Sequence, residues 1–169
     1  MGQIAEALKA GYMVSQSVQC LIEYVRYNFG LVTQNYAEGF ATLLDPLLQN
    51  TQDENICVLA MEFWATFAKE EKNIESNPTL NRFITGPLGN NLVEKLLKNL
   101  VVIEEGDDDG NGVSESAAST LEAVFEGDST EFKQLVLNFV DGTLRHADWK
   151  CRQASIRAFA TVLMGLPAQ

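Results

Sequence analysis

The sequence is poor in the residues that build chemistry. One residue is histidine, three are cysteine and four are proline, and lysine plus arginine number 12 against 23 aspartates and glutamates. His146 has no nucleophile motif beside it, so neither a triad nor a metal cluster can be assembled around it; no catalytic, cofactor-binding or metal-binding residue is expected, and an enzyme is the reading to set aside first. Cys20, Cys57 and Cys151 lie far apart inside apolar helical stretches with no CxxC spacing, which reads as buried free thiols in a reducing compartment. The shortage of cations leaves a formal charge of -11. Such a field repels phosphate backbones and anionic bilayers and attracts basic partners, so nucleic acid and membrane are not expected ligands. Met1 is followed by neither a basic region nor a long apolar run, so no signal peptide or membrane span is expected, and the protein reads as soluble and intracellular. No stretch alternates apolar and polar residues long enough to make a strand.

What is present is an apolar content of 46%, enough for a core, and a pattern written three times. Leu43-Leu44-Asp45-Pro46-Leu47-Leu48-Gln49-Asn50, Leu92-Val93-Glu94-Lys95-Leu96-Leu97-Lys98-Asn99 and Leu135-Val136-Leu137-Asn138-Phe139-Val140-Asp141-Gly142 start 49 and 43 residues apart. Each is followed by a second apolar helical stretch. This interval is close to the roughly 40 to 47 residues of a two-helix HEAT or armadillo unit. The fold class expected is therefore all-α, a single α-solenoid segment over 1–169: a half repeat over about 1–30, repeats over about 36–72, 88–126 and 129–166, and a linker over about 73–87. In the half repeat, Val18, Leu21, Ile22, Val25 and Phe29 form one stripe of a helix ending near Gly30. The first full repeat is expected as a helix from Tyr36 to Gln49, then Asp53 as N-cap of a helix through Ile56, Ala60, Phe63 and Phe67. A stack this short is near the lower limit for independent stability, and its end faces should be partly apolar.

Five carboxylates crowd into six residues at Glu104, Glu105, Asp107, Asp108 and Asp109. Their mutual repulsion is relieved when lysine or arginine side chains arrive, although a run of this kind can equally be a solvated loop. The same stretch holds Asp107-x-Asp109-x-Asn111-Gly112, the first half of an EF-hand calcium loop. Its twelfth position is Ala118 where a bidentate glutamate is needed, and its eighth is Ser114, so the oxygen count is short. Trp64, Phe159 and more loosely Phe125 fall at matching places in the second helices and read as core. Trp149 is expected to pack at a repeat interface. His146 reads as a turn residue, and Arg152 as the i+4 partner of Asp148 or a rung between repeats.

The segment Asp148-Trp149-Lys150-Cys151-Arg152-Gln153-Ala154, continuing to Ala158-Phe159, resembles a HEAT-repeat second helix, and more particularly the Asp-Trp-Arg-Tyr-Arg stretch of the importin-β family of nuclear import receptors. Glu62-Phe63-Trp64, ending at Glu70-Glu71, resembles that family's Glu-Phe-Trp helix, and Glu104 to Asp109 falls where the family carries an acidic loop. The order and spacing of the three segments carry the resemblance, over roughly Ser17 to Pro167. One departure is plain. The family's loop ends in Asp-Trp, whereas Asp109 here runs into Gly110-Asn111-Gly112.

The resemblance implies a protein-binding slice of a HEAT superhelix. Its acidic second helices and loop, with Glu70, Glu71, Glu104, Glu105, Asp107, Asp108 and Asp109 as partner-binding residues, would take the basic segment of importin-α or Ran-GTP. Its outer helices would offer grooves to phenylalanine-glycine nucleoporins. Localisation would be cytoplasm and nucleus, at the nuclear envelope. Two other readings remain: a HEAT scaffold of another complex, such as a phosphatase regulatory subunit, and a calcium-binding helical protein.

Overall fold

The apolar periodicity becomes helix throughout: in the computed structural model, which describes residues 2–50, 52–73, 84, 87–103, 112–125 and 130–164, every regular element among the described residues is helical. The chain divides into two compact units, Met1–Phe83 and Ile84–Gln169.

In the first unit, α1 (Gly2–Lys9) turns into α2 (Val14–Asn35) through Gly11 and Met13, both at positive φ (66° and 49°). α2 places Val18, Leu21, Ile22, Val25 and Phe29 in the core, the stripe read from the sequence. It does not stop at Gly30. Asn28 departs from helical geometry (φ -133°, ψ 30°), yet the helix continues to Asn35 because Val32 and Thr33 are also buried. The cost of a mid-helix glycine, about 1 kcal/mol, is smaller than the gain from burying one valine. The Thr33 hydroxyl donates back to the Phe29 and Gly30 carbonyls across the kink (3.2 and 3.1 Å).

The single helix expected from Tyr36 to Gln49 is two pieces. α3 (Ala37–Leu44) is followed by a 3-10 turn, Leu47–Gln49. The last α-type bond, Asp45 N to Ala41 O at 2.9 Å, comes just before Pro46, which has no N–H to continue the ladder. Asp53 does cap α4 (Glu54–Asn73): its Oδ1 accepts from the Ile56 amide at 3.3 Å. α4 packs against α2 and the 3-10 turn. The contact is aromatic: Phe67 meets Phe29 edge-on at 4.9 Å and Phe63 meets Phe40 at 5.6 Å. Trp64 and Phe67 are buried beside them.

In the second unit, α5 (Pro87–Asn99), α6 (Val113–Phe125), α7 (Thr130–Thr143) and α8 (Trp149–Met164) form two hairpins. First helix packs on first (α5 on α7), second on second (α6 on α8), and each on its hairpin partner. Gly89 sits where α5 passes under Ile84. A Cβ there would overlap the Ile84 carbonyl oxygen and press on the Phe132 ring at 2.6 Å, so only glycine allows this approach.

Phe125 is core, as expected, and meets Phe132 at 6.0 Å. Phe159 is not. α8 buries Ala154, Ser155, Ala158, Thr161 and Val162, so its inward stripe is made of small residues that let α6 and α7 come close. Phe159 lies a hundred degrees round the helix from Ala158 and is 42% exposed. Trp149 is likewise 49% exposed rather than packed, with the Lys150 ammonium 6.0 Å from its ring centre. Together with Ile156, Leu163 and Met164, these side chains make an exposed apolar stripe on α8.

Candidate partner-binding site

A helix leaves its last carbonyls without partners, and the end of α5 shows how this chain supplies them. After Asn99 the backbone tightens into i+3 turns, Val101 N to Lys98 O (3.3 Å) and Val102 N to Asn99 O (3.1 Å). The Ser114 hydroxyl, buried at the start of α6, donates to the Leu100 carbonyl at 2.9 Å. The ammonium of Lys150, reaching over from α8, donates to the Ile103 carbonyl at 2.6 Å. The guanidinium of Arg157, two turns further along α8, donates to Ser114 Oγ at 3.2 Å and pairs with the Glu115 carboxylate at 2.9 Å.

These contacts form one polar clasp from three helices. α8 supplies two cations, α6 supplies Ser114 and Glu115, and the end of α5 supplies two carbonyls. The bonds from an ammonium or guanidinium are charge-assisted, and Lys150 and Arg157 are half-buried, so each outweighs an ordinary surface contact.

The acidic run lies in the chain between the two ends that the clasp holds: Ile103 is followed directly by Glu104, and Asp109 precedes Ser114 by five positions. Glu104, Glu105, Asp107, Asp108 and Asp109 themselves lie outside the described residues. Glu70 and Glu71 are half-buried in the last turns of α4, in the first unit; Glu70 Oε2 accepts from Asn73 Nδ2 at 3.3 Å. The calcium-loop register is broken after Gly112, because α6 already begins at Val113. Ser114 and Glu115, its eighth and ninth positions, are held by the clasp.

The residues that the sequence did not single out are Lys150, Arg157 and Ser114. The sequence carried no local signal for this pairing: Ser114 opens α6 whereas Arg157 lies in the middle of α8, and the two meet only because the second helices pack. Arg152, the arginine expected to pair with Asp148, turns back instead and donates to the His146 and Ala147 carbonyls (2.8 and 2.7 Å), closing the α7–α8 turn. Asp148 caps α8 through the Lys150 amide (2.9 Å), and His146 is the turn residue expected, its Nδ1 accepting from the Asp148 amide (3.1 Å).

No family model matches the chain. Among curated proteins it is similar to importin subunit beta-1 of Saccharomyces cerevisiae, 26% identical over 77% of this chain, and of Schizosaccharomyces pombe, 25% identical over 86%. The matched parts are 15% and 18% of those relatives' lengths. Among solved structures, importin β in an ammonium sulfate condition superposes with a TM-score of 0.84 over 95% of this chain and 20% of its own, at 25% identity. A structure of Kap95p with RanGDP (TM-score 0.83, 21% identity, 96% of this chain and 20% of that one) and the Kap95–Nup1 complex (0.78, 20%, 88% and 18%) share the fold. The fold is that of HEAT-type helical hairpins.

Proposed function

We propose, for a chain that is an importin-β-family HEAT-repeat segment, that it is a protein-binding segment of a nuclear transport receptor, with its acidic residues turned to basic partner segments. The observation that carries this reading is the placing of five carboxylates between two helices whose facing ends are tied down by α8. A cationic peptide approaching the run is drawn by its summed field, and each arginine that arrives relieves repulsion among the carboxylates. Glu70 and Glu71, in the last turns of α4 in the first unit, are further partner-binding carboxylates in this reading. The ligands are the arginine-rich segment of importin-α and Ran-GTP, and binding without catalysis is the activity. The neighbours that carry RanGDP and Nup1 support Ran and nucleoporins as partners; for phenylalanine-glycine segments the outer helices α5 and α7 are the docking face. The place of work is then the cytoplasm, the nucleus and the nuclear envelope between them.

Titration of an arginine-rich importin-α peptide at two salt concentrations tests the reading. Affinity should fall with salt, and fall again when Glu104, Glu105, Asp107, Asp108 and Asp109 are converted to their amides. An affinity indifferent to both changes removes the acidic run from the mechanism.

A further inference from the structure

We propose that this chain associates with a second copy of itself by setting the uncovered face of α8 against the uncovered face of α2, so that second helices continue their packing from one copy into the next. The covered faces show the mode. α8 packs on α6 and α2 packs on α4, while α1 packs on α2 and α3 in the way that α5 packs on α6 and α7, which makes α2 a second helix like α8.

The faces left open match. On α8 the exposed residues are Trp149, Arg152, Ile156, Phe159 and Leu163, and on α2 they are Cys20, Glu23, Tyr27 and Leu31. Both series begin with a step of three and then one of four, the spacing of a stripe along one side of a helix, and a stripe of that kind is covered by another helix. Ile156 is 64% exposed and Tyr27 78%. Set parallel with Trp149 opposite Cys20, the stripes bring Ile156 opposite Tyr27 and Arg152 opposite Glu23, a carboxylate that pairs with Arg26 at 2.7 Å and has a second oxygen to offer. The match holds as far as Tyr27, since α2 departs from helical geometry at Asn28.

Charge selects the second copy as the occupant. The chain carries -11 in all, which keeps copies apart wherever that charge lies. α8 holds three cations, Lys150, Arg152 and Arg157, and no acid, while in α1 and α2 Glu6 and Glu23 are cancelled by Lys9 and Arg26. These two helix faces are thus where copies repel least, and Arg152 and Glu23 attract. Two α8 faces set together would instead oppose cation to cation. Because each contact takes α8 from one copy and α2 from the other, every pair keeps one face of each kind free, and association runs on to higher mass or to a closed ring.

Sedimentation velocity of the whole chain at near-physiological salt, from about 1 μM to about 1 mM, reads the association. The weight-average mass should rise with concentration past that of two copies. Tyr27→Lys closes the α2 face and Ile156→Lys the α8 face, each by placing an unpaired charge at its centre, and either alone should weaken association by about tenfold or more. An equal mixture of the two variants should form pairs and go no further, since one intact face remains on each chain. Should circular dichroism show either variant unfolded, Leu31→Lys and Phe159→Lys take their places. A parent that stays monomeric over the whole range, leaving α8 to some other helix, overturns the inference, and so does a mixture that stays monomeric. Either variant associating as tightly as the parent overturns it too; where Tyr27→Lys does so and Ile156→Lys does not, α8 meets α8.

Discussion

Arg157 of α8 and Ser114 of α6 are joined by a 3.2 Å hydrogen bond across two successive second helices. The hydroxyl that receives the guanidinium also donates to the Leu100 carbonyl, so one buried oxygen ties the end of α5, the start of α6 and the middle of α8. Ser114→Ala leaves the carbonyl and the guanidinium each short of a partner. We expect a loss of about 1 to 3 kcal/mol in urea unfolding, the usual cost of leaving a buried polar group unsatisfied. An unchanged midpoint would mean that water replaces the hydroxyl at no cost.

Glycines in this chain divide by what surrounds them. Gly89→Ala should destabilise by about 2 kcal/mol or more, since the added methyl meets the Ile84 carbonyl and the Phe132 ring, and backbone rather than a flexible side chain would have to move. Gly39→Ala in α3 and Gly142→Ala in α7 meet nothing within 4 Å. Both should stabilise, by about 0.5 to 1 kcal/mol, through helix propensity and a less mobile unfolded chain. Thermal melts of the three variants should thus move in opposite directions from the parent.

The two tryptophans should report differently. Trp64 is 3% exposed and Trp149 49%. Acrylamide should quench a chain carrying Trp64→Phe, where only Trp149 emits, far more strongly than one carrying Trp149→Phe. Trp64→Ala should cost about 3 to 5 kcal/mol, as large core truncations do. Trp64→Phe should cost much less, because the indole nitrogen has no hydrogen-bond partner to lose.

Cys57 gives a prediction in pH. Burial, and secondarily the charge of Glu54, raises its thiol from 9.0 to about 11, while the thiol donates to the Leu48 carbonyl at 3.2 Å. Below pH 9 the thiol is protonated in both folded and unfolded chains, and its contribution to stability is fully present. Between 9 and 11 the unfolded chain loses the proton first, so stability falls as pH rises through that window. The parent should therefore lose more stability than Cys57→Ala over that range, by no more than about 3 kcal/mol. A thiol reagent at neutral pH should label exposed Cys20 well before Cys57. Equal labelling rates would refute the burial.

Much of the fold could be read directly. The 3.6-residue stripe of α2, the Asp53 cap and the turn at His146 all follow from local chemistry, which a few neighbouring residues suffice to settle. The readings that missed depend on what lies across the interface. Proline at 46 was visible, yet the split of the first repeat helix was not read from it. Glycine at 30 looked like a stop, but the burial of Val32 and Thr33 carried the helix past it. Phe159 and Trp149 have the spacing of core residues, but their face of α8 is not the one that α6 and α7 cover.

The sequence by itself determined an all-helical chain, the repeat interval, the strong negative charge and the crowding of carboxylates at Glu104 to Asp109, because each is a property of composition or of residues near one another along the chain. Only the tertiary structure decided which side of α8 is buried, that Arg152 serves its own turn, and that Lys150 reaches the Ile103 carbonyl while Arg157 reaches Ser114 and Glu115. The physical reason is reach. A lysine can choose among every acceptor within a few ångströms of its ammonium, and that set exists only once helices distant in sequence have packed.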